Sequence, residues 1–451
     1  HEPLALPRCL ATLAASRDIE RCEVIVVEGD EGASRVPTGM LPIRIVQSPP
    51  GRGRQLDVGA RSARADVFVF LHVDTVPPRN FVALVLDATR ERHADAGAFD
   101  LPIESRHPIV RAISMMGLLR SRITRVPYGD QIHFVTREAY DAAGGYPPVP
   151  IMEDVTLMDG LARARRRVAL LRPPARTSPR RWEAEGPVRT TLRNWRIMLA
   201  YRSGVSPGAL RTRYRPQSEI QTVTDSLVVF HRALRAGRVK TRLAASLGDE
   251  LALGIYRAML ADLARETRRL VHRRRPGGVR ELWFIDDPLA GEDAARESYP
   301  QLGPDLWRRM SDAMTRAFAA GARRVVLVGS DIPRLDRALL RRAFTALRSR
   351  DVVVGPSTDG GFYLVGCVAE AFDESLFRAA QREPDESGRA LLAWARQRGH
   401  RPATLPLAQD VDTRDDLARV LVDPEVRAPS LRRAVRRAGL SFSILGTRED
   451  T

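Results

Sequence analysis

Short apolar runs rich in valine, isoleucine and leucine alternate along this sequence with longer stretches of helical periodicity. Such alternation predicts α/β units around a mostly parallel sheet. Ten runs are predicted as strands: residues 24–27, 43–46, 67–71, 132–135 and 168–171 in the first half, and 226–230, 282–285, 325–328, 352–354 and 362–365 in the second. We therefore expect an α/β fold in both halves.

A polar segment that is rich in arginine and contains proline, residues 206–219, separates the two halves. A chain of 451 residues also exceeds the usual size of one domain. We expect a first domain over residues 1–215 and a second over residues 216–425. Residues 426–451 are interpreted as a basic tail, with a short helix and a frayed end.

Each half contains an apolar predicted strand that leads into a carboxylate, Asp74 in the first and Asp331 in the second. Open α/β sheets bind ligands beyond the carboxyl ends of their strands. A capping role in a following helix or turn is the alternative for one such residue. The repeated arrangement favours a ligand site in each half.

His72 and Asp74 follow the predicted strand 67–71. Because alternate strand residues share a face, the two side chains are expected to point towards one ion. Carboxylate and imidazole ligands suit Mg²⁺ or Mn²⁺ bound together with a diphosphate. Such an ion would neutralise the nucleoside diphosphate that leaves in glycosyl transfer.

Two further motifs in the first half fit the same chemistry. Asp154, in the pair Glu153-Asp154, is a candidate to accept the proton of the acceptor hydroxyl. Arg181, followed by Trp182, is a candidate to hold the departing diphosphate. The alternatives are an acidic first turn of a helix for Glu153-Asp154 and core packing for Trp182. The segment PPGRGRQL, which contains Gly51 and Arg54, can approach phosphates closely.

With these motifs, residues 2 to about 215 resemble family 2 glycosyltransferases, in particular the bacterial branch associated with arsenosugar biosynthesis. The matching segments include EVIVVEG, VFVFLHVDT, RVPYGDQIHFV, GGYPPVPIMEDV and RRWEAEGPVRTTLRNW. The resemblance implies a GT-A fold, a nucleotide-sugar donor and inversion at the anomeric carbon. It implies that Asp74 faces the metal, that Asp154 is the general base and that Arg181 and Trp182 lie at the leaving-group and acceptor side. Glu28 is placed where the family has an Asp that contacts the nucleoside.

The first half departs from the family pattern in three ways. The opening HEP matches the turn after the family's first strand, so that strand is expected to be missing from this domain. Asp57 replaces an Asn, and Ser178 replaces the Gln of the QxxRW motif.

In the second half, a basic loop after the predicted strand 226–230 contains Arg238, Lys240 and Arg242. Lys240 is the single lysine among 72 basic residues. A basic loop between a strand and a helix can cradle a triphosphate, and a compact ammonium reaches phosphates differently from a flat guanidinium. A solvated basic turn is the alternative.

Acidic residues follow at three places: Asp331 in VGSDIPRL, Asp359 in GPSTDGGFYLVG, and Asp410 and Asp412 in DVDTRDDL. Nucleotidyl transfer needs Mg²⁺ held by carboxylates, and little covalent chemistry from the protein. Asp331, Asp359 and Asp412 are therefore the candidate metal ligands. A helix N-cap is the alternative for Asp412.

On these motifs, together with AGRVKTRLA and QLGPDLWRRM, residues 222 to about 422 resemble the domain of unknown function family 2064, relatives of molybdenum-cofactor and phospholactate guanylyltransferases. The resemblance implies a second GT-A-like, Rossmann-like domain in tandem with the first. Leu234 and Ala236 replace prolines that are usual around the basic loop, and EPDESGR replaces the expected Trp-Ser-Thr segment.

The formal net charge of +17 comes almost entirely from arginine. A GC-rich genome explains such usage, and attraction to nucleotide phosphates or an anionic membrane is the functional alternative. The arginines are dispersed, which disfavours nucleic acid as a partner. The segment LRNWRIMLAYRSGV is amphipathic enough for peripheral membrane contact, with a core helix as the alternative.

No apolar run is long enough to span a membrane, no secretory signal is visible, and three scattered cysteines suit a reducing cytoplasm. Nothing in the sequence specifies an oligomeric state. The expected partners are nucleotide-sugar and nucleoside triphosphate-type ligands. We predict a metal-dependent glycosyltransferase fused to a nucleotidyltransferase-like domain. The alternative is that one half is a non-catalytic nucleotide-binding or regulatory module.

Overall fold

The computed structural model describes residues 4–29, 41–100, 115–116, 131–177, 187–211, 225–270, 278–287 and 298–440. The chain divides into two compact units, His1–Gln221 and Thr222–Thr451. No helix in the described ranges is long and apolar enough to cross a membrane.

The strands of the first unit form three sheets. β1 (Val24–Glu28) and β2 (Ile43–Gln47) pair in parallel. A four-stranded sheet has the order β3 (Val67–Phe70), β6 (His133–Thr136), β5 (Ala96–Phe99) and β7 (Val168–Leu171). In it, β6 is antiparallel to both neighbours, while β5 and β7 are parallel. The short strands β4 (Thr75–Val76) and β8 (Arg176–Thr177) form an antiparallel pair.

The helices of the first unit are α1 (Ala5–Ala14), α2 (Arg52–Ser62), α3 (Phe81–Leu86), α4 (Arg137–Ala143), α5 (Glu153–Arg163), α6 (Pro187–Arg202) and α7 (Pro207–Arg211). The four-stranded sheet carries apolar clusters on both faces because successive strand residues point to opposite sides. Phe134 belongs to one cluster and Val135 to the other, and both are fully buried. Helix α7 lies within the polar segment that was predicted as the linker.

The second unit has one seven-stranded sheet. Its strands are β9 (Asp225–His231), β10 (Val279–Ile285), β11 (Ser298–Pro300), β12 (Arg324–Val328), β13 (Val352–Pro356), β14 (Phe362–Val368) and β15 (Pro402–Thr404). The order is β11-β10-β9-β12-β14-β13-β15, and only the two pairings of β14 are antiparallel. The predicted α/β class with mostly parallel strands is thus confirmed, most clearly in this unit. The carboxyl ends of the six parallel strands consequently lie along one edge.

The helices of the second unit are α8 (Thr241–Leu247), α9 (Asp249–Leu270), α10 (Leu306–Ala319), α11 (Arg337–Ala346), α12 (Ser375–Arg382), α13 (Ser387–Gln397), α14 (Arg414–Val422) and α15 (Pro429–Arg437). The basic helix predicted near the C-terminus is α15. It is not a separate tail, because Leu431 and Val435 are buried in the core cluster that includes Ile255 and Met259 of α9.

The sheets of the two units share one topology apart from β9. The parallel pair β1-β2 corresponds to β10-β11, and the order β3-β6-β5-β7 corresponds to β12-β14-β13-β15 with each pairing in the same direction. β9 joins these two parts in the second unit. Among the described residues of the first unit no strand takes that position.

Candidate functional site

Lys240 lies at the centre of the site in the second unit. The loop after β9 turns back through Gly237, with φ of +73°, and Lys240 itself has φ of +48° directly before α8. The Lys240 side chain is only 7% exposed, and its Nζ lies 2.9 Å from Asp412 Oδ1 and 3.3 Å from Asp331 Oδ2. Burial lowers the pKa of Lys240, but the two carboxylates raise it by more, so its pKa lies above the ordinary value. The ammonium is therefore charged.

Two carboxylates, Asp331 and Asp412, contact this ammonium, and the charges of Asp359, Asp331 and Asp412 act on a further carboxylate, Asp410. Asp331 follows β12, Asp359 lies in the turn between β13 and β14, and Asp410 and Asp412 follow β15. Backbone hydrogen bonds tie the segments together, from Thr358 N to the carbonyl of Ala408 (3.2 Å) and from Val411 N to the carbonyl of Asp331 (3.1 Å).

The pKa of Asp410 is sensitive to the charges of the neighbouring carboxylates. Burial, and then the negative charges of Asp359, Asp412 and Asp331, raise the pKa of Asp410 to about 6. Asp410 was not among the predicted ligands, although it lies two residues from Asp412.

The alternative of an N-cap for Asp412 is wrong. The residue that caps α14 is Thr413, whose Oγ1 accepts from Asp416 N, while the Asp416 carboxylate accepts from Thr413 N at 2.8 Å. Asp412 contacts Lys240 instead, and Nη1 of Arg242 lies 3.7 Å from its second oxygen. Arg242 is 77% exposed, and Arg238 is exposed on the same loop.

Asp359 is partly engaged by its own turn. One carboxylate oxygen accepts from Ser357 Oγ (2.5 Å) and from Gly361 N (3.0 Å). A Cβ at Gly360, where φ is +87°, would lie 2.0 Å from the carbonyl oxygen of Asp385. Residues 383–389, the EPDESGR segment, therefore pack directly on the turn that carries Asp359.

Tyr256 is a site residue that sequence reasoning missed. Its hydroxyl accepts a hydrogen bond from Arg232 N (2.9 Å) and shares one with Ser330 Oγ (2.8 Å). It thereby joins the basic loop after β9 to the residue before Asp331. A tyrosine in the middle of an amphipathic helix gives no signal of such a role.

In the ranges that the structure describes, no three His, Cys, Asp or Glu side chains are arranged around one metal position. The donor chemistry nevertheless fits a hard divalent cation, because Asp331, Asp359, Asp410 and Asp412 offer only carboxylate oxygens. Burial and then the neighbouring carboxylates raise the pKa of Asp410, and such a cation would offset the charges of those carboxylates. Asp331, Asp359 and Asp412 remain predictions as metal ligands.

In the first unit, the geometric argument for His72 and Asp74 is wrong. β3 ends at Phe70, and the chain then makes a turn in which Thr75 N donates to the carbonyl of His72 (3.0 Å). Strand alternation therefore does not bring the two side chains to one face. Asp74 is exposed and accepts from Thr75 Oγ1 at 3.5 Å.

Arg52 connects the residues that do converge. Its Nη2 lies 2.7 Å from His72 Nε2, and its Nε lies 2.8 Å from Glu153 Oε1. Burial raises the pKa of Glu153, against the opposing effect of Arg52. Asp154, next in α5, accepts from Val155 N at 2.9 Å and also contributes to the raised pKa of Tyr146, after burial.

Glu28, at the end of β1, has one oxygen bound and one unsatisfied. Its Oε2 accepts from Gln47 Nε2 at 3.1 Å. Its Oε1 is buried and has no hydrogen-bond donor within the described part of the chain. Gly51, with φ of +141°, directly precedes α2, and Arg54 is exposed in the first turn of that helix. Arg181 and Trp182 lie outside the described residues.

The comparisons with known proteins give a match to a family model within the second unit. Residues 277–381 match the family described as "Uncharacterized protein conserved in bacteria (DUF2064)". No curated protein matches the chain. The resemblance of the first half to the arsenosugar branch stays a prediction.

Three solved structures illustrate the similarity. A putative nucleotide-diphospho-sugar transferase from Desulfovibrio desulfuricans G20 is 27% identical, over 48% of this chain and 97% of that chain, with a TM-score of 0.42. TarS 1–349 of S. aureus, in complex with UDP, is 16% identical, over 39% of this chain and 57% of that chain, with a TM-score of 0.32. Rv0371C of Mycobacterium tuberculosis H37Rv, in complex with manganese, is 20% identical, over 45% of this chain and 100% of that chain, with a TM-score of 0.27.

Proposed function

We propose that the second unit is a nucleotidyltransferase-like domain that binds a nucleoside triphosphate at Lys240. The observation that carries this proposal is the buried ammonium of Lys240 between Asp331 and Asp412, at the carboxyl edge of the sheet. Asp359 and Asp410 add further negative charge close to these two carboxylates. Its reaction would join a nucleotide to a phosphorylated sugar or small acid.

Each group of the second unit has a defined task in this proposal. Lys240 is a point charge for the phosphates, and the exposed Arg238 and Arg242 extend the positive surface of the same loop. Asp331, Asp359 and Asp412 would hold Mg²⁺ or Mn²⁺, which supplies positive charge against the leaving pyrophosphate. Tyr256 keeps the basic loop next to Asp331.

We propose that the first unit is an inverting glycosyltransferase with a nucleotide-sugar donor. The buried, unsatisfied Oε1 of Glu28 supports a role in accepting a hydrogen bond from a nucleoside hydroxyl. Asp154 would accept the proton of the acceptor hydroxyl, beside the Arg52 that His72 and Glu153 contact. Asp74 as metal-facing carboxylate, Gly51 and Arg54 at the phosphates, and Arg181 and Trp182 at the leaving group are parts of the same proposal.

Calorimetric titration of the full chain with nucleoside triphosphates and Mg²⁺ or Mn²⁺ tests the second-unit proposal. We expect the variant Lys240→Met to bind at least about tenfold more weakly, because a charged hydrogen-bond donor is lost. Arg235→Met is the matched control, since Arg235 lies on the same loop but pairs with Asp287 at 2.9 Å. Equal affinity in both variants, or no binding by the wild type, would contradict the proposal.

For the first unit the corresponding measurement is metal-dependent hydrolysis of nucleotide sugars. We expect Asp154→Asn to abolish it, while Asp159→Asn, on the same helix, retains it. Unchanged hydrolysis in Asp154→Asn would favour the alternative that this half is a non-catalytic nucleotide-binding or regulatory module. In the first unit no described strand occupies the position that β9 has in the second unit. This observation favours the alternative.

Peripheral membrane contact is a second candidate function, which the surface of α6 favours. Leu192, Trp195 and Leu199 recur on one side of the helix and are 50%, 61% and 70% exposed. Helix α6 contains four arginines and no acidic residue. Apolar and basic side chains on one helix suit an anionic interface. Flotation with phosphatidylglycerol vesicles should recover the wild type but not Trp195→Ser, and equal recovery would reject the contact.

A further inference from the structure

A cavity of about 480 Å³ lies in the second unit between α9, α11 and the segment that leads into α15. Five of its nine lining residues are arginines: Arg265, Arg269, Arg337, Arg341 and Arg427. Arginine is abundant throughout this chain, but it makes up far less than half of all residues. Only two carboxylates, Glu266 and Asp336, line the same cavity. The cavity therefore has an excess of three positive charges.

Both carboxylates are already engaged within the fold. Glu266 accepts from Arg269 Nη1 at 3.0 Å and from the amide of Arg337 at 3.4 Å. Asp336 caps α11 by accepting from Leu339 N at 2.8 Å. Among the described residues, Glu266 pairs only with Arg265 and Arg269, and Asp336 forms no ion pair with an arginine of the cavity.

Three arginines of the cavity have no carboxylate within ion-pair distance among the residues described: Arg337, Arg341 and Arg427. In addition, Nε of Arg337 is buried and no described residue accepts its hydrogen bond. A buried donor without an acceptor costs free energy, so an acceptor from a ligand would stabilise this position.

The walls of the cavity are held in place by hydrogen bonds that do not involve these three arginines. The buried carboxylate of Asp262 in α9 accepts from the amides of Ser430 and Leu431 at 2.9 Å each, which fixes the start of α15 against α9. The cap at Asp336 fixes the start of α11. A site whose groups are already positioned loses less entropy on binding.

We propose that this cavity binds a small molecule that carries a phosphate group. Guanidinium groups bind phosphate oxygens in pairs of charge-assisted hydrogen bonds. The volume falls within the range of about 300–1,000 Å³ that is usual for small-molecule sites, which leaves room for an organic ester beside the phosphate. None of the cavity residues belongs to the Lys240 site, so the proposal does not depend on that site's function.

The test is a calorimetric titration of the full chain with inorganic phosphate and, separately, glycerol 3-phosphate, without divalent metal and at constant ionic strength. The double variant Arg337→Ser/Arg341→Ser should bind at least about tenfold more weakly, because charged donors are lost. Arg342→Ser is the matched control, because Arg342 is exposed on the same helix but does not line this cavity. Lys240→Met should bind as the wild type does.

The single variant Arg341→Ser, at an exposed position, gives the same test if the double variant fails to fold. Tighter binding of glycerol 3-phosphate would identify an ester as the ligand, and tighter binding of phosphate would identify the free anion. Equal affinity in the cavity variants and in Arg342→Ser would overturn the proposal. Loss of binding in Lys240→Met alone would also overturn it, because the anion would then occupy the other site.

Discussion

The two units differ most where β9 lies. In the second unit β9 joins β10 to β12, and its residues Leu227, Val228 and Val229 are fully buried. In the first unit the corresponding strands, β1 and β3, do not pair with a common neighbour among the described residues. All five residues of β1 are partly exposed, although four of them are aliphatic. Burial of an aliphatic strand therefore depends on its neighbours as much as on its sequence.

The same contrast extends to the candidate sites. Lys240 follows β9 and reaches Asp331, which follows β12. In the first unit the residues after β3 contact Arg52 of α2 instead, through His72. In the second unit, the strand β9 thus brings the loop that follows it into the site.

Shortening a buried side chain of β9 should have the largest effect on stability, and it should sharpen this contrast between the units. Leu227→Ala should lower the free energy of unfolding of the second unit by about 2–5 kcal/mol, because it leaves a cavity beside fully buried neighbours. Val26→Ala in the partly exposed β1 should cost the first unit much less. Urea unfolding, followed by proteolysis to assign the transitions, measures both. Equal losses in the free energy of unfolding would mean that the side chains of β1 are buried as completely as those of β9.

The pH dependence of stability should have opposite signs at one carboxyl group in each unit. Burial raises the pKa of Glu153 above 4.5 in the first unit, so its contribution is present below that value and is lost as pH rises through the folded pKa. In the second unit the amide of Arg401 lowers the pKa of Asp351 below 3.8, so its contribution is present above 3.8 and is lost as pH falls through the folded pKa.

Thermal unfolding between pH 3 and pH 7 tests these signs. Glu153→Gln should flatten the decline in first-unit stability as pH rises. Asp351→Asn should flatten the decline in second-unit stability at acid pH. A change of the same sign in both variants would contradict the assignment of burial as the main cause at Glu153.

Helix capping should show the smallest difference between the units. Thr136→Ala removes the side chain that accepts from Ala139 N in α4, and Asp305→Ala removes the one that accepts from Arg308 N in α10. Each should cost about 1 kcal/mol in its own unit, because a cap acts locally and does not depend on the sheet. Chemical denaturation of the two variants provides the measurement, and a much larger cost in the first unit would show that its helices depend on one another for stability.

The sequence predicts the long strands well because their β-branched runs are bounded by turns. Each of the ten predicted strands is present, with ends that differ by a few residues. Among the described residues, the missed strands carry little signal. Thr75–Val76 and Arg176–Thr177 have two residues, Ser298–Pro300 and Pro402–Thr404 have three, and Ala96–Phe99 contains no β-branched residue.

The site in the second unit was predicted in its residue types but not in its contacts. Asp331 and Asp412 were expected to face a metal ion, and Lys240 to face a phosphate, whereas the structure pairs Lys240 with both carboxylates. Lys240 and Asp412 are 172 positions apart, and no local pattern encodes such a contact. For His72 and Asp74 the argument from strand alternation failed because β3 ends two residues before His72.

The glycines at 360 and 388 bring two distant stretches of backbone together, since a Cβ at either position would lie within 2.4 Å of the other stretch. The turn that carries Asp359 and the EPDESGR segment therefore pack together only when both positions are glycine. A chimaera that takes one of them from a relative with a bulkier segment would displace the Asp359 carboxylate. A graft that exchanges this part of the second unit would have to transfer both pieces at once.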